Sequence, residues 1–242
     1  MPKVYATLAS GGDTVFLEAM SWMDVERYLA FDDRIVVITG ACEQHGYVSL
    51  LSDILAPMAI AQAAIEQEPV LVAPPLPFGI SPYFTAYPGT VSLRVETFAS
   101  VVRELLTGLA AQGFRRILVS NGHGGNSGVL IPLLVELSNT HPETRFELFQ
   151  WWTHPEVVQA GEKVGLPQRH ANWSENFPFT RVGPVPAGEK PFVSLPRTAN
   201  AAATRAGLGD GSYGGAYQAP DAATESFFAA AVDAMVAALR AL

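Results

Sequence analysis

Three short polar segments of this chain carry the side chains that ligate cations or move protons. The first is Glu43-Gln44-His45-Gly46, followed eight residues beyond His45 by Asp53. Two carboxylates and an imidazole in one connection suit a borderline divalent cation such as zinc or manganese. In an extended chain, alternation puts Glu43 and His45 on one side. A chance pairing of an acidic loop residue with a surface histidine is the competing reading of this segment alone. The second segment is Asn121-Gly122-His123-Gly124-Gly125-Asn126, whose glycines permit close backbone approach and positive φ around His123. A phosphate-cradling loop ranks lower, because there is no Lys-Ser/Thr pair and no dinucleotide-type glycine spacing. A purely structural turn is the other alternative. The third segment, His170-Ala171-Asn172-Trp173-Ser174-Glu175, sets a histidine and a carboxylate five residues apart. Such a histidine can shuttle protons, and the carboxylate can bind metal or orient it; taken alone, the segment also reads as a solvated loop.

The elements that must position these residues are legible in the hydrophobic pattern. Arg34–Thr39 (RIVVIT) is a β-branched run that predicts a buried strand delivering the chain into Glu43. The Ala-rich stretch after Asp53 predicts a helix over residues 54 to 68, with Pro57 in its tolerant first turns. Residues 70 to 73 form a short predicted strand, residues 96 to 112 an amphipathic helix ending at Gly113, and residues 116 to 120 a strand running into His123. A helix over 127 to 138, a strand over 146 to 151 and a closing packing helix over 222 to 242 complete the pattern. Alternating strands and helices predict a mostly parallel sheet covered by helices, with ligands bound beyond the strands' carboxyl ends, where two of the polar segments fall.

Composition narrows the function classes. A chain of 242 residues with 49% hydrophobic content can bury one large core, so a single domain over 1 to 242 is expected. Cys42 is the single cysteine, which excludes an intrachain disulfide and makes the cytoplasm the default compartment. The start lacks the pattern of a leader peptide, and no continuous run of about 18 apolar residues appears, so no membrane partner is expected. A net charge of −8 with scattered Lys and Arg argues against nucleic acid.

Taken together and in this order, these segments resemble the creatininase family of metal-dependent amidohydrolases. The resemblance rests on Glu43-Gln44-His45-Gly46, Asp53, Tyr87-Pro88-Gly89-Thr90, Asn121 to Asn126, and His170 with Glu175, over roughly residues 35 to 180. It implies a creatininase-like three-layer α/β/α fold and two divalent ions per chain, zinc, manganese or iron. Asp53 would bridge them, with Glu43 and His123 on one ion and His45 on the other. Creatininase has a glutamate where this chain has Gly125, so Glu175 is expected to supply the second ion's carboxylate. His170 would contact substrate and protonate the leaving nitrogen, with Glu175 beside it in the catalytic machinery. Ser81, Gly124, Trp152 and Trp173 are the expected substrate contacts; Gly124 stands where creatininase has a tyrosine, which argues against creatinine as the physiological substrate. The stretch between His45 and Asp53 is one residue shorter than the family pattern. The implied reaction is cleavage of a C–N bond in a small cyclic amide or formamide-like compound by a metal-activated water. The alternatives are a small-molecule binding or regulatory protein with a decayed metal site, and a metal-dependent hydrolase of a cyclic ketone or lactone. A homo-oligomer, a hexamer, is the implied assembly.

Overall fold

Strand β1 (Arg34–Thr39) is buried from Ile35 onward, as its run of branched side chains requires. In a computed structural model that describes residues 16–196 and 198–242, it lies between β2 (Leu71–Val72) and β3 (Arg116–Asn121), with β4 (Arg145–Phe149) beyond β3. The order is β2-β1-β3-β4 and every pairing is parallel. Residues 1 to 15, which hold most of the segment behind the leader-peptide expectation, lie outside the described residues.

Alternation along each strand sends side chains to two separate cores. Val36, Ile38, Leu118 and Phe149 pack on one side with α2 (Ser52–Ile65), α5 (Pro155–Val164) and α7 (Asp221–Ala241). Ile35, Val37, Ile117, Val119 and Phe146 face α1 (Trp22–Leu29), α3 (Val95–Ala111) and α4 (Gly124–Thr140) on the other. This is the expected three-layer α/β/α arrangement, and burial on both faces explains why the strands read as unbroken apolar runs. Each fully buried Ile or Phe contributes about 1.5–3 kcal/mol. Helix α7 is long and apolar enough by composition to cross a membrane. Here its Phe227, Ala231, Met235 and Leu239 are buried in the core it shares with α2 and α5. Between α5 and α7, α6 (Ala201–Leu208) and a two-stranded antiparallel ribbon of β5 (Glu189–Lys190) and β6 (Gly215–Ala216) had no counterpart in the sequence reading.

Several boundaries differ from the sequence reading, and the differences matter to the site. Helix α2 starts at Ser52, so Asp53 sits inside its first turn rather than before it, and Pro57 lies beyond that turn. The glycine-rich segment is not a loop: α4 begins at Gly124, with His123 at its N-cap. Gly122, Gly124 and Gly125 all lack positive φ; Gly122 and Gly125 supply close approach, while the space beside Gly124 is open. Strand β4 ends at Phe149, and Trp151 belongs to a 3-10 turn.

The close approach is concentrated on one atom. Pro57 has no N–H to give the carbonyl four residues earlier, which is that of Asp53. That carbonyl lies against Gly40 and Gly122, the residues just past the paired ends Thr39 and Asn121 of β1 and β3. A β-carbon on either glycine would collide with the Asp53 carbonyl oxygen, and on Gly122 also with Pro57 at 2.8 Å. Gly122→Ala is therefore expected to cost about 3 kcal/mol through overpacking. Its thermal midpoint should fall by roughly 6–12 °C, while an Ala at the open position Gly128 leaves it near wild type.

Candidate metal centre

Asp53 is the hub of the site. Its Oδ1 lies 3.0 Å from His45 Nε2, and its Oδ2 lies 2.9 Å from His123 Nδ1. The latter approach lacks hydrogen-bond alignment, so Asp53 Oδ2 is buried without a partner, as is Glu43 Oε2. Glu43 Oε1 is 3.5 Å from His123 Nδ1 and 3.7 Å from His170 Nδ1. Glu175 Oε2 stands 3.9 Å from both His45 Nε2 and His170 Nδ1, and accepts the backbone N–H of Ala171 at 2.6 Å. Ala171 is the one described non-glycine residue at positive φ, 58°, and that carboxylate holds the turn.

Each of the three imidazoles is anchored through one nitrogen by a backbone carbonyl and turns the other toward the acids. His45 Nδ1 donates to Glu43 O at 3.1 Å, His123 Nε2 to Ile80 O at 2.9 Å, and His170 Nε2 to Gln44 O at 3.0 Å. Such anchoring fixes the tautomer of a ligating imidazole and leaves a lone pair facing the site. Supporting loops lock these carbonyls in place. Thr90 Oγ1, in the Pro-Gly-Thr segment, accepts from Gln44 N at 2.9 Å, and Asn126 ties Ile80 N and Gly40 O together at 3.1 Å each.

Two triads share Asp53: Glu43, Asp53 and His123 offer ligand atoms within 4.8 Å of one another, and so do His45, Asp53 and Glu175. A third group of the same tightness joins Glu43, His45 and His170. Burial pushes Glu43 up to about 7, and the Asp53 charge adds to it against the pull of His123. Burial also raises Glu175. Burial alone would lower both ligating-type imidazoles, but carboxylates win: Asp53 and Glu175 hold His45 well above its ordinary value, and Glu43 with Asp53 brings His123 to about 9. Asp53 is driven below the usual carboxylate range because His45 and His123 outweigh its burial. His170 goes the other way, pulled well below its ordinary value by burial and by the neighbouring His45. Buried oxygens without donors, facing anchored imidazoles, are the donor set a divalent cation requires, so the residues fit the implied ions.

Above the cluster opens a cavity of about 380 Å³. Of the expected substrate contacts, Gly124 and Trp152 line it. Trp173 does not: it is fully buried, donates its indole N–H to Pro167 O at 3.0 Å and packs on Phe227 in the core. Ser81 is also fully buried, behind His123, with its Oγ 3.3 Å from the anchored Nε2. Its role here is to support that imidazole. The sequence reading missed Tyr83, Phe84, Arg169 and Tyr213, all of which line the cavity, with Phe84 stacked on His170 at 4.7 Å. Nothing in the composition of the loop that follows β2 marks Tyr83 or Phe84 for this position.

A parallel sheet with acids and imidazoles gathered past its strand ends is the architecture of an α/β enzyme site. The chain belongs to the creatininase family of hydrolases: the family profile described as creatinine amidohydrolase matches residues 18–239. It is 31% identical over 125 residues to the creatinine amidohydrolase of Pseudomonas putida, covering 49% of this chain and 48% of that protein. It is 28% identical over 112 residues to the 3-dehydro-scyllo-inosose hydrolase of Thermotoga maritima, covering 46% of this chain and 36% of the relative. A mycofactocin precursor peptide peptidase of Mycolicibacterium smegmatis matches at 33% over 99 residues, 38% of this chain and 40% of that one. The matched region thus spans about half the length of these relatives or less. A crystal structure of creatinine amidohydrolase superimposes with a TM-score of 0.79 at 23% identity, over 94% of this chain and 97% of the other, and a manganese form of creatininase with 0.78 at 24%, over 94% and 98%.

The electrostatics set a direction for stability in the presence of a chelator. Unfolded histidine titrates near 6.5 and folded His123 at about 9. Glu43, at about 7, is largely neutral below pH 6.5, so the pairing of charged His123 with Asp53 carries the stabilisation there, and it is lost as pH rises through about 9. With EDTA present, the difference in melting temperature between wild type and His123→Gln should be larger at pH 6 than at pH 9.5. A gap of equal size at both pH values would contradict the assignment.

Proposed function

We propose that this chain is a divalent-metal-dependent hydrolase that cleaves a C–N bond in a small cyclic amide or formamide-like substrate. The observation that carries the reading is the sharing of one carboxylate, Asp53, between two triads of ligand atoms. Glu43, Asp53 and His123 would hold one ion and His45, Asp53 and Glu175 the other. Zinc, manganese and iron all suit oxygen and imidazole donors of this kind. A manganese form and a zinc-zinc form exist among solved creatininases of similar fold. Two cations bound there would acidify a shared water and polarise the scissile carbonyl.

The chain's own residues supply the rest. His170 Nδ1 faces Glu43 and Glu175, and its Nε2 is committed to Gln44 O. Burial and the neighbouring His45 keep His170 neutral, so it first takes a proton from the attacking water and then gives it to the departing nitrogen, acting as a relay rather than as a stored acid. Trp152 and Phe84 provide apolar walls for a small planar ring. A cavity of about 380 Å³ suits such a ligand. Among solved creatininases, one was obtained in complex with creatine, a ligand of this size class.

A second reading, hydrolysis of a cyclic ketone or lactone, is favoured by the relative named 3-dehydro-scyllo-inosose hydrolase. Release of ammonia or amine from a panel of cyclic amides and lactones separates the two. The exposed apolar residues Leu105 on α3 and Ile131 and Val135 on α4 suit contact between copies in a homo-oligomer.

Two measurements test the metal assignment. Asp53→Ala should retain less than one ion per chain by elemental analysis, against two in wild type, and lose hydrolysis by at least about 100-fold. A variant that keeps both ions removes Asp53 from its bridging role. Because His45 and His123 are held above their ordinary values in the metal-free chain, cation binding near pH 7 must displace protons. Calorimetric titration with zinc in buffers of different ionisation heat should show net proton release and an apparent affinity that rises with pH up to about 9.

A further inference from the structure

The cluster beneath the cavity is rich in groups that accept protons. Glu43, Asp53 and Glu175 offer oxygens, and His170 turns its Nδ1 toward Glu43 and Glu175. Hydrolysis of an amide is further assisted by a hydrogen-bond donor at the place where charge collects on the carbonyl oxygen. Two tyrosines, Tyr83 and Tyr213, line the cavity, and the Tyr83 hydroxyl is the one placed beside His123. Tyr83 lies in the 3-10 turn Pro82–Phe84, and its oxygen is 2.9 Å from the point where a β-carbon on Gly125 would stand, at the start of α4 and beside His123. It lines the cavity, and no described side chain or carbonyl hydrogen-bonds it. The absence of a side chain at Gly125 leaves the hydroxyl room. The ring is fixed edge-on against Phe84 at 4.6 Å, and Phe84 in turn stacks on His170.

We propose that Tyr83 is a catalytic residue whose phenol donates a hydrogen bond to the oxygen of the scissile carbonyl. A phenol keeps its proton throughout the neutral range. Burial, followed by the nearby Glu43 and Asp53 charges, strengthens that hold. With no acceptor among the described residues hydrogen-bonded to it, its hydrogen is free for a ligand oxygen. The proton is shared and not transferred, so Tyr83 and His170 divide the work: one steadies the oxygen, the other serves the nitrogen. This assignment rests on the C–N hydrolase reading above.

Tyr83→Phe removes the oxygen and keeps the ring on Phe84. Its melting temperature and metal content should equal those of wild type. With the amide from the panel that wild type turns over best, kcat should fall about 100-fold with KM within threefold. A readout without turnover is the binding of acetohydroxamate to the zinc-loaded protein, where calorimetry should give an affinity about tenfold weaker in the variant. If wild type is active and the variant matches it within threefold in both kcat and acetohydroxamate affinity, the role of Tyr83 is overturned while the hydrolase reading stands. If wild type cleaves no C–N bond, the hydrolase reading fails and the catalytic role of Tyr83 falls with it; weaker acetohydroxamate binding by the variant would then show only a ligand contact.

Discussion

The site depends on where the backbone carbonyl of Asp53 is allowed to sit. It abuts Gly40 and Gly122 at the level ends of β1 and β3, and the helical N–H that would otherwise engage it is missing at Pro57. This contact docks the first turn of α2 directly on the carboxyl ends of the two central strands. It leaves the Asp53 carboxylate between His45, which arrives from β1, and His123, which arrives from β3. Any side chain at either glycine would lift α2, and the carboxylate would leave both imidazoles at once.

Electrostatics explains why such a cluster needs partners of opposite sign. Three carboxylates crowd a buried space, and two of them, Glu43 and Glu175, are pushed up because burial disfavours their charge. Protonated imidazoles meet part of that demand in the metal-free chain, yet one oxygen each of Glu43 and Asp53 remains without a donor. Buried acceptors of this kind are costly when unpaired. The backbone carbonyls that anchor all three imidazoles prevent the rings from turning to relieve the shortage. The arrangement is thus rigid in geometry and open in charge, which suits reversible capture of cations.

The positions of these groups follow from ordinary fold physics. Parallel strands bring β1 and β3 to end side by side, so residues 43 to 45 and 123 meet although about eighty positions separate them. The third segment reaches the same point by another route. A 3-10 turn at Trp173–Glu175 and the positive φ at Ala171 aim Glu175 back toward His45. Trp173, carried on the same turn, then points into the core beside Phe227.

Much of this was written in local pattern. The β-branched runs ending at Thr39 and before Asn121, the Ala-rich helix after Asp53 and the spacing of Glu43, His45 and His123 were sufficient to indicate a parallel α/β sheet and a cluster of acids and imidazoles beyond its strands' carboxyl ends, because strand burial and ligand chemistry depend on residue type and short-range order. The start of α4 at Gly124, the burial of Ser81 and Trp173 and the presence of Tyr83, Phe84 and Tyr213 in the cavity were not legible in that way. Those placements come from loops packing against distant helices, where the direction of a side chain is set by neighbours remote in the chain. Local spacing selected the chemistry, and tertiary packing decided which groups face the substrate and which support them from behind.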